Sequence, residues 1–284
     1  MIDLHTHSSA SDGDLSPAQL VREAAQKGLS AIALTDHDTI DGLKNARMEA
    51  EKVNIRLIPG IEISIQLANL GPGGEFHLLG LGIHRPSPAF LTAVSELFRR
   101  REARNHEILG RMRKMGIEAS WEDIKALSGG HSLGRPHFAS YLINRKIVKN
   151  QEQAFARYLG VGKPLYVPKE GLIFEEAVAL IRESSGIPVL AHPLSLFVAW
   201  GRLPGMLRDL KSQGLMGLEA WHPTAKPGPC RRLEELGKSL GLYITEGSDF
   251  HGSIRPQRKL GFSNIGREIK ESVLEAIPEL SADR

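Results

Sequence analysis

Six short apolar segments of the chain end in histidine, aspartate or glutamate, and this regularity constrains the fold more than any other feature. The segments are DLHTH, LTDHD, GIE, EFH, AHP and GSDFH, and they are spread from the first residues to His251. In parallel α/β sheets and barrels, functional groups collect at the carboxyl ends of strands, because the loops there converge on one pocket. We therefore expect these polar side chains to meet in a single site.

The patterns that lead into these segments alternate between strand and helix. Ser16 and Pro17 are an N-cap followed by proline at the first helical position, and Gly28 ends that helix before the strand SAIALTDHD. A helix over Asp41 to Lys52 and the strand IRLIPGIEIS follow. The alternation resumes late in the chain, with helices near residues 174–184, 203–213 and 231–240 between the strands GIPVLAHP, MGLEAWHP and LYITEGSDFH. This order predicts an α/β fold with a parallel sheet.

The middle of the chain has a different pattern. From about Pro88 to Lys169 the periodicity is helical and no segment is convincing as a strand. We expect residues 1–87 and 170–284 to form the catalytic frame, and residues 88–169 to form a helical insertion that covers the active site. Gly-Pro-Gly-Gly at 71–74 predicts a turn between two antiparallel strands, the second of which is EFHLLGLGI.

The composition is that of a globular protein from a reducing compartment. Of 284 residues, 41% are hydrophobic and 24% are charged, which is ordinary for a folded domain. The single cysteine, Cys230, excludes an internal disulfide framework. No apolar run approaches the roughly 18 residues that a membrane helix needs, and the first residues do not resemble a signal peptide. We expect a cytoplasmic protein with no membrane partner.

Nine ligand-type side chains stand at the ends of the predicted strands. Each one alone has an ordinary explanation, since a single histidine at a strand end is commonly a hydrogen-bonded core residue. Burying all of them together would cost several kcal/mol apiece unless cations neutralised them. The set therefore predicts two or three divalent metal ions, and ligation by imidazole and carboxylate favours manganese, iron or zinc. The candidate ligands are His5, His7, Asp12, His37, Glu62, His77, His192, Asp249 and His251.

The segments DLHTHSSASDG, LTDHDT, GIEIS, FHLLG, AHP and GSDFH resemble the motifs of the PHP family, named for polymerase and histidinol phosphatase. The resemblance implies a distorted, TIM-like, seven-stranded β/α barrel with a helical insertion subdomain, and up to three metals, most often Mn²⁺. It implies that one metal is held by His5, His7, Glu62 and Asp249. A second would share Glu62 and add His77 and His192. A third would lie between Asp12, His37 and His251, with Asp36 and Asp38 as supporting partners that orient an imidazole.

Such a metal cluster predicts hydrolysis of a phosphoester. Bound metals can hold a phosphoryl group and lower the pKa of a bridging water. His222 in AWHP is either a general acid for the leaving oxygen or a packed loop residue. The catalytic set is therefore expected to be His5, His7, Asp12, His37, Glu62, Asp249 and His222.

The stretches RRREARN, GRPH and GKPLYV resemble the TrpH/YciV branch of the family. That branch removes the 3′-phosphate from 3′,5′-nucleotide bisphosphates such as pAp, and members related to RNase AM also trim short RNA from a 5′-phosphorylated end. On this resemblance we expect the 5′-phosphate and sugar to be bound by Arg101, Arg104, Asn105, Arg135 and Lys163. Ser8 and His137 are expected near the reacting phosphate. The partners would be nucleotide bisphosphates and short single-stranded RNA, with no obligate protein partner.

Three alternatives stay open at this point. The basic run Arg99 to Arg104 could be only the solvated face of a long helix. Histidinol phosphate is another PHP substrate, although an arginine-rich pocket would repel its cationic amine. A non-catalytic binding module, like the PHP domains that accompany DNA polymerases, would keep the fold and lose the chemistry.

Overall fold

The computed structural model describes residues 1–66, 74–127, 133–264 and 266–281. Its centre is one sheet of seven strands, hydrogen-bonded in the order of the sequence. Beyond the last residues of β1 and β7, Thr6 forms a parallel bridge to Phe250, which brings the two edges of the sheet together as a nearly closed barrel. The strands are β1 (Ile2–Asp3), β2 (Ala31–Leu34), β3 (Arg56–Ser64), β4 (His77–Leu81), β5 (Ile187–Leu190), β6 (Gly217–Trp221) and β7 (Tyr243–Glu246).

Four of the five barrel helices connect neighbouring parallel strands, and the fifth, α7, precedes β5. Helix α1 begins with a capping box, in which the Ser16 hydroxyl accepts from the backbone N–H of Gln19 and the Gln19 side chain accepts from that of Ser16. Every strand and helix that the sequence pattern predicted in the barrel is present, with α9 beginning four residues earlier than expected, at a proline. The helices are α1 (Pro17–Gln26), α2 (Leu43–Val53), α7 (Phe174–Glu183), α8 (Leu203–Ser212) and α9 (Pro227–Ser239).

Strand β4 departs from the parallel arrangement. It is antiparallel to both β3 and β5, while the remaining neighbours pair in parallel. The antiparallel pair expected from the sequence is therefore confirmed, although the first three residues of the turn predicted at 71–74 lie outside the described residues. Because β4 runs in the opposite direction, its first residue, His77, lies at the same end of the barrel as the last residues of its neighbours.

Between β4 and residue 169 all the regular elements of the described chain are helices, with no strand there. Its first helix spans two cores, because Phe90, Val94 and Leu97 pack in the barrel core while Ile108 and Met112 pack in a separate core of this segment. The division of the chain at residues 88 and 169 stays a prediction. The elements are α3 (Pro88–Lys114), α4 (Trp121–Ala126), α5 (Arg135–Asn144), α6 (Gln151–Ala154) and a π-helix at Phe155–Leu159.

The last part of the described chain adds elements that the sequence analysis did not predict. Strands β8 (Phe262–Asn264) and β9 (Arg267–Glu268) form a small hairpin, followed by α10 (Ser272–Glu275) and α11 (Pro278–Ser281). Leu274 and Ile277 pack in the same core as Ile2. This segment closes the barrel at the end opposite to the expected ligands. No helix within the described ranges combines the length and apolar composition needed to cross a bilayer.

Candidate functional site

The nine predicted ligands meet at one end of the barrel. They come from the segments after β1, β2, β5 and β7, from β3, and from the first residue of β4. All are buried except His37, whose side chain is 12% exposed. The side chains therefore form one cluster, as the strand-end pattern predicted.

The first ligand set has four donor atoms, from His5, His7, Glu62 and Asp249. The Nε2 atoms of His5 and His7 are 3.1 Å apart, and Glu62 Oε2 lies 3.3 Å and 3.2 Å from them. Asp249 Oδ1 is 3.3 Å from Nε2 of His7 and 3.8 Å from Nε2 of His5. Donor atoms about 2.1 Å from one metal are separated by about 3.0–3.4 Å in octahedral or tetrahedral coordination. These four atoms fit around a single cation.

The second ligand set uses the other oxygen of Glu62. Glu62 Oε1 lies 2.8 Å from His77 Nδ1 and 2.9 Å from His192 Nε2, and those two nitrogens are 3.4 Å apart. A cation bound there would share the Glu62 carboxylate with the first set. Such sharing is typical of adjacent metals that stabilise both sides of one displacement.

The third ligand set is more open. Asp12 Oδ1 is 3.3 Å from His251 Nε2, and Asp12 Oδ2 is 3.9 Å from His37 Nε2. The other ring nitrogen of His37, Nδ1, lies 3.0 Å from Glu62 Oε2, so this imidazole lies between the first and third sets. His7 Nδ1 also approaches Asp12, at 3.8 Å.

Several donor atoms of the cluster are buried without a hydrogen-bond partner among the described residues. They are His7 Nδ1, His37 Nδ1, Glu62 Oε2 and His251 Nε2. Buried polar atoms are nearly always paired, so four unpaired ones in a single cluster call for a missing group. Cations in the first and third sets would satisfy Glu62 Oε2 and His251 Nε2, which are ligand atoms of those sets. The residues therefore fit the metals that the sequence predicted.

Hydrogen bonds to neighbouring groups orient two of the imidazoles, those of His192 and His251, so that Nε2 faces the other ligand atoms. The His192 Nδ1–H donates to Ser195 Oγ at 2.8 Å, because the Ser195 hydroxyl itself donates to the carbonyl of Glu75. His251 Nδ1–H donates to the carbonyl oxygen of Asp249 at 2.8 Å. In both rings the Nε2 lone pair is left free for a cation.

Glu219, on β6, holds two ligand segments together, and the sequence analysis missed it. Its Oε1 accepts from His5 Nδ1 at 2.9 Å, and its Oε2 accepts from the backbone N–H of His192 at 2.7 Å. Burial raises the pKa of Glu219, but His5 outweighs this and lowers it below the usual range. A charged residue inside the apolar strand GLEAW was the available signal.

His222 contacts a ligand directly. The Thr224 N–H donates to His222 Nδ1 at 3.3 Å, so the Nε2–H is the donor to Asp249 Oδ2 at 3.0 Å. Burial lowers the pKa of His222, which keeps the ring neutral. Arg258, which was not predicted, also pairs with this carboxylate. Burial alone would raise the pKa of Asp249, but Arg258 holds it well below its usual range.

The electrostatics of the centre attract positive charge. Burial lowers the pKa of His7, yet the carboxylates of Asp249 and Glu62 outweigh burial and raise it to about 9. The pKa of His5 is raised for the same reason, with Glu219 as the largest favourable neighbour. Protons on these rings take the place that metal cations would fill.

A cavity of about 460 Å³ borders the metal centre and is strongly basic. We call it the anion pocket. Its cations are Arg101, Arg104, Arg135, Lys169 and Arg255.

Arg104 is a buried cation of this pocket whose charge is not compensated by an ion pair with a carboxylate of the described chain. It is 8% exposed, its Nε has no hydrogen-bond partner, and no carboxylate pairs with it in the described chain. Burial, with Arg135 and Arg101 nearby, lowers its pKa to about 9. A buried, unpaired guanidinium is costly, and an anionic ligand would offset that cost.

The other predicted phosphate-binding residues are placed unequally. Arg101 lines the anion pocket and pairs with Asp38, and Arg135 lines it and pairs with Glu75 at 2.9 Å. Lys163 is exposed and does not line the pocket. Lys169 is there instead, with Nζ 3.3 Å from His77 Nε2.

Ser8, His137 and Asn105 are held by bonds within the protein. Ser8 is fully buried and donates to Asp36 from both its hydroxyl and its backbone N–H. His137 Nδ1 accepts from the backbone N–H of Gly134 at 3.0 Å, at the start of α5. Asn105 Nδ2 donates to the carbonyl of Leu133 at 2.9 Å. None of the three lines the anion pocket.

The predicted role of Asp36 and Asp38 was to orient an imidazole, and their hydrogen bonds show a different one. Asp36 accepts from Ser8 and Ser11 in the loop that carries Asp12. Asp38 accepts from Ser64 and pairs with Arg101. Both carboxylates therefore hold the loops around the predicted ligands in place through hydrogen bonds and an ion pair.

Comparisons with known proteins place this geometry in a family. The PHP domain model matches residues 3–164, more than half of the chain. A 5′-3′ exoribonuclease from Haemophilus influenzae is 36% identical over 249 residues, covering 88% of this chain and 89% of that protein. A 3′,5′-nucleoside bisphosphate phosphatase from Chromobacterium violaceum is 28% identical over 282 residues, covering 96% and 98%.

The fold comparison agrees. A Bifidobacterium adolescentis structure assigned as a metal-dependent phosphoesterase matches with a TM-score of 0.85 at 25% identity, covering 99% of this chain and 96% of that one. The chain therefore belongs to the PHP domain family. The predictions of the family, of the distorted seven-stranded barrel and of a phosphoric ester hydrolase are confirmed.

Proposed function

We propose that this protein removes the 3′-phosphate from nucleoside 3′,5′-bisphosphates, and that it attacks short 5′-phosphorylated RNA by the same chemistry. The unpaired, buried Arg104 beside the nine-residue ligand cluster carries the proposal. A substrate with two phosphates satisfies both features, because one phosphate can enter the metal centre while the other neutralises the anion pocket. Similarity to relatives named for each of these two activities supports it.

The residues that would hold metals are the three sets already described. When bound, divalent cations supply a water of lowered pKa and charge stabilisation for the phosphoryl oxygens. The absence of thiolate among the nine predicted ligands favours Mn²⁺, Fe²⁺ or Zn²⁺, and the resemblance to the PHP family favours Mn²⁺ among these three. A cytoplasmic location and the lack of an obligate protein partner remain parts of the proposal.

The anion pocket would bind the phosphate that does not react. Arg101 and Arg135 can each present two parallel N–H groups to phosphate oxygens, in a geometry that lysine cannot supply. Arg104 adds the charge that has no partner, and Lys169 is the lysine contributed by the insertion in place of Lys163. Because Asp38 and Glu75 already pair with two of these arginines, the substrate phosphate has to compete with those carboxylates.

His222 has a specific place in this proposal. Its Nε2–H donates to Asp249 Oδ2, so the ring holds a proton at the wall of the metal centre. In the neutral form that burial favours, it can orient Asp249 as a ligand. To act as the general acid for the leaving ribose oxygen, the ring would first have to take up a second proton, because a neutral imidazole cannot give up its only N–H.

Histidinol phosphate fits the site less well. That substrate brings one phosphate and a cationic amine, and the amine would face the unpaired charge of Arg104. A non-catalytic module also fits poorly, because eight of the nine predicted ligands fall into three groups whose ligand atoms lie within 4.8 Å of one another.

The test is phosphate release from pAp, 3′-AMP, 5′-AMP and histidinol phosphate, with Mn²⁺ and with a chelator. We expect pAp to have the highest kcat/KM, 3′-AMP to be slower because it lacks the 5′-phosphate, and the chelator to stop turnover. Preference for histidinol phosphate would contradict the proposed substrate. A purified protein without metal that stays inactive in Mn²⁺ would support the binding module instead.

A further inference from the structure

A second cavity adjoins the anion pocket at Arg101. It has a volume of about 320 Å³ and lies between the start of α2 and helices α3 and α4. Arg101 lines both this cavity and the anion pocket, so one side chain separates the two. A molecule whose phosphate reached Arg101 would have its next group close to this cavity.

Helix α3 gives the cavity its character. Phe98, Arg101 and Asn105 follow one another at spacings of three and four residues, which puts them on one face of the helix, and all three line the cavity. Trp121, from the start of α4, adds a second aromatic side chain. Phe98 is 38% exposed, which is high for a phenylalanine that only fills a core.

The charge of this cavity differs from that of the anion pocket. In the described chain, its lining contains two carboxylates, Asp41 and Glu102, and two cations, Arg101 and Lys125. The anion pocket has five cations against three carboxylates, Asp12, Glu75 and Glu152. A balanced lining with apolar walls favours a neutral, flat ligand over another phosphate.

Asn105 supplies a polar group that lacks a partner. Its Nδ2 donates to the carbonyl of Leu133, which fixes the orientation of the amide. The residue is 1% exposed, and its Oδ1 has no hydrogen-bond partner among the described residues. This oxygen calls for an N–H donor, such as the exocyclic amine of adenine or cytosine.

We infer that this cavity is the nucleobase site of the enzyme, occupied by the base of the nucleotide whose 5′-phosphate fills the anion pocket. The inference rests on the proposed function and deepens it. Phe98 and Trp121 provide the apolar aromatic surface against which a base can stack, and Asn105 Oδ1 accepts from an amino group on it. The site makes a base-bearing bisphosphate a better substrate than the sugar bisphosphate alone.

The experiment compares pAp with the corresponding ribose 3′,5′-bisphosphate that has no base, for wild type and for Phe98→Ala. The wild type should favour pAp in kcat/KM by about tenfold or more, the size expected for loss of a stacked base. In Phe98→Ala that preference should fall towards one, with the rate on the abasic compound unchanged. Phe98→Tyr should keep the preference.

Leu91→Ala is the matched control, because Leu91 is an exposed apolar residue of the same helix and does not line the cavity. Calorimetry in the presence of chelator measures the binding of both compounds without turnover. In Phe98→Ala the affinity for pAp should fall, and the affinity for the abasic compound should not change. Equal affinity of the wild type for the two compounds would overturn the base site while leaving bisphosphate hydrolysis intact. A wild type that binds and hydrolyses neither would refute the proposed function itself, and the base site with it.

Discussion

Replacement of Glu219 by glutamine tests whether a buried carboxylate controls metal binding. Glu219 accepts two hydrogen bonds, one from His5 Nδ1 at 2.9 Å and one from the backbone N–H of His192 at 2.7 Å. A glutamine has one acceptor oxygen, so its NH₂ group must face one of these donors. If the oxygen stays with His192, the NH₂ group meets His5 Nδ1 and favours the tautomer with hydrogen on Nε2. That hydrogen would point at the first ligand set.

The magnitude follows from what the change removes. His5 Nε2 is one of four donor atoms around the first metal position, at 3.1 Å from His7 Nε2 and 3.3 Å from Glu62 Oε2. Loss of an outer partner of a ligand histidine typically reduces metal affinity by about 10-fold to 100-fold, or about 1.4–2.7 kcal/mol. Turnover should fall in parallel at limiting Mn²⁺. Saturating Mn²⁺ should restore it in part, because Glu219 positions a ligand and does not itself bind metal.

Metal affinity is measured by titrating Mn²⁺ into chelator-treated protein, with bound metal counted by elemental analysis. Glu234→Gln is the control. Glu234 lies on α9, accepts a hydrogen bond from the indole Nε1–H of Trp221 and contacts none of the predicted ligands. Thermal unfolding of the metal-free proteins tests whether both variants fold. If Glu219→Gln bound Mn²⁺ with wild-type affinity and stoichiometry, the tautomer argument would be refuted.

Three further predictions concern the charges of the site. Arg104→Met should raise KM for pAp with a smaller effect on kcat, and an unchanged KM in steady-state kinetics would contradict this. The same substitution should raise Tm of the free protein, because it removes a buried unpaired charge. His5→Ala or Glu62→Ala should abolish turnover and lose at least one metal by elemental analysis, and full metal content would contradict it. Because the pKa of His7 in the folded protein, about 9, lies above its ordinary value of 6.5, this group stabilises the metal-free protein fully below pH 6.5, and the stabilisation is lost as pH rises through 9. Mn²⁺ binding at pH 7 should therefore release protons, measured by calorimetry in two buffers.

The barrel and its ligands could be predicted because their signals are local. The strand pattern SAIAL is followed by His37 three residues after its end, and Asp249 likewise comes three residues after β7, so each element and its ligand are close in sequence. His77 could also be found, because it begins a strand whose pattern is clear. His77 lies at the same end of the barrel as the other ligands because β4 runs antiparallel to β3. The predicted turn between these two strands also indicated this direction.

The anion pocket was harder to predict because it depends on how the helical segment returns to the barrel. Lys163 and Lys169 are only six residues apart, and both follow α6 in chain segments without regular structure. Tertiary packing alone decides that Lys169 reaches His77 while Lys163 remains exposed. Ser8 is comparable, since its hydroxyl is consumed by Asp36, a partner 28 residues away.

The metal centre has more carboxylates and imidazole lone pairs than protons to satisfy them, and the anion pocket has more cations than carboxylates. These opposite excesses of charge explain why one fold holds both regions. At the centre, carboxylates and imidazole nitrogens converge without enough protons, and His7 compensates by a raised pKa. In the pocket, guanidinium groups converge without enough carboxylates, and Arg104 compensates by a lowered pKa. Native proteins tolerate such conflicts mainly where a ligand resolves them. Since the two regions share a border at Asp12, His37 and His77, a metal-bound phosphoester with a second phosphate would resolve both conflicts at once.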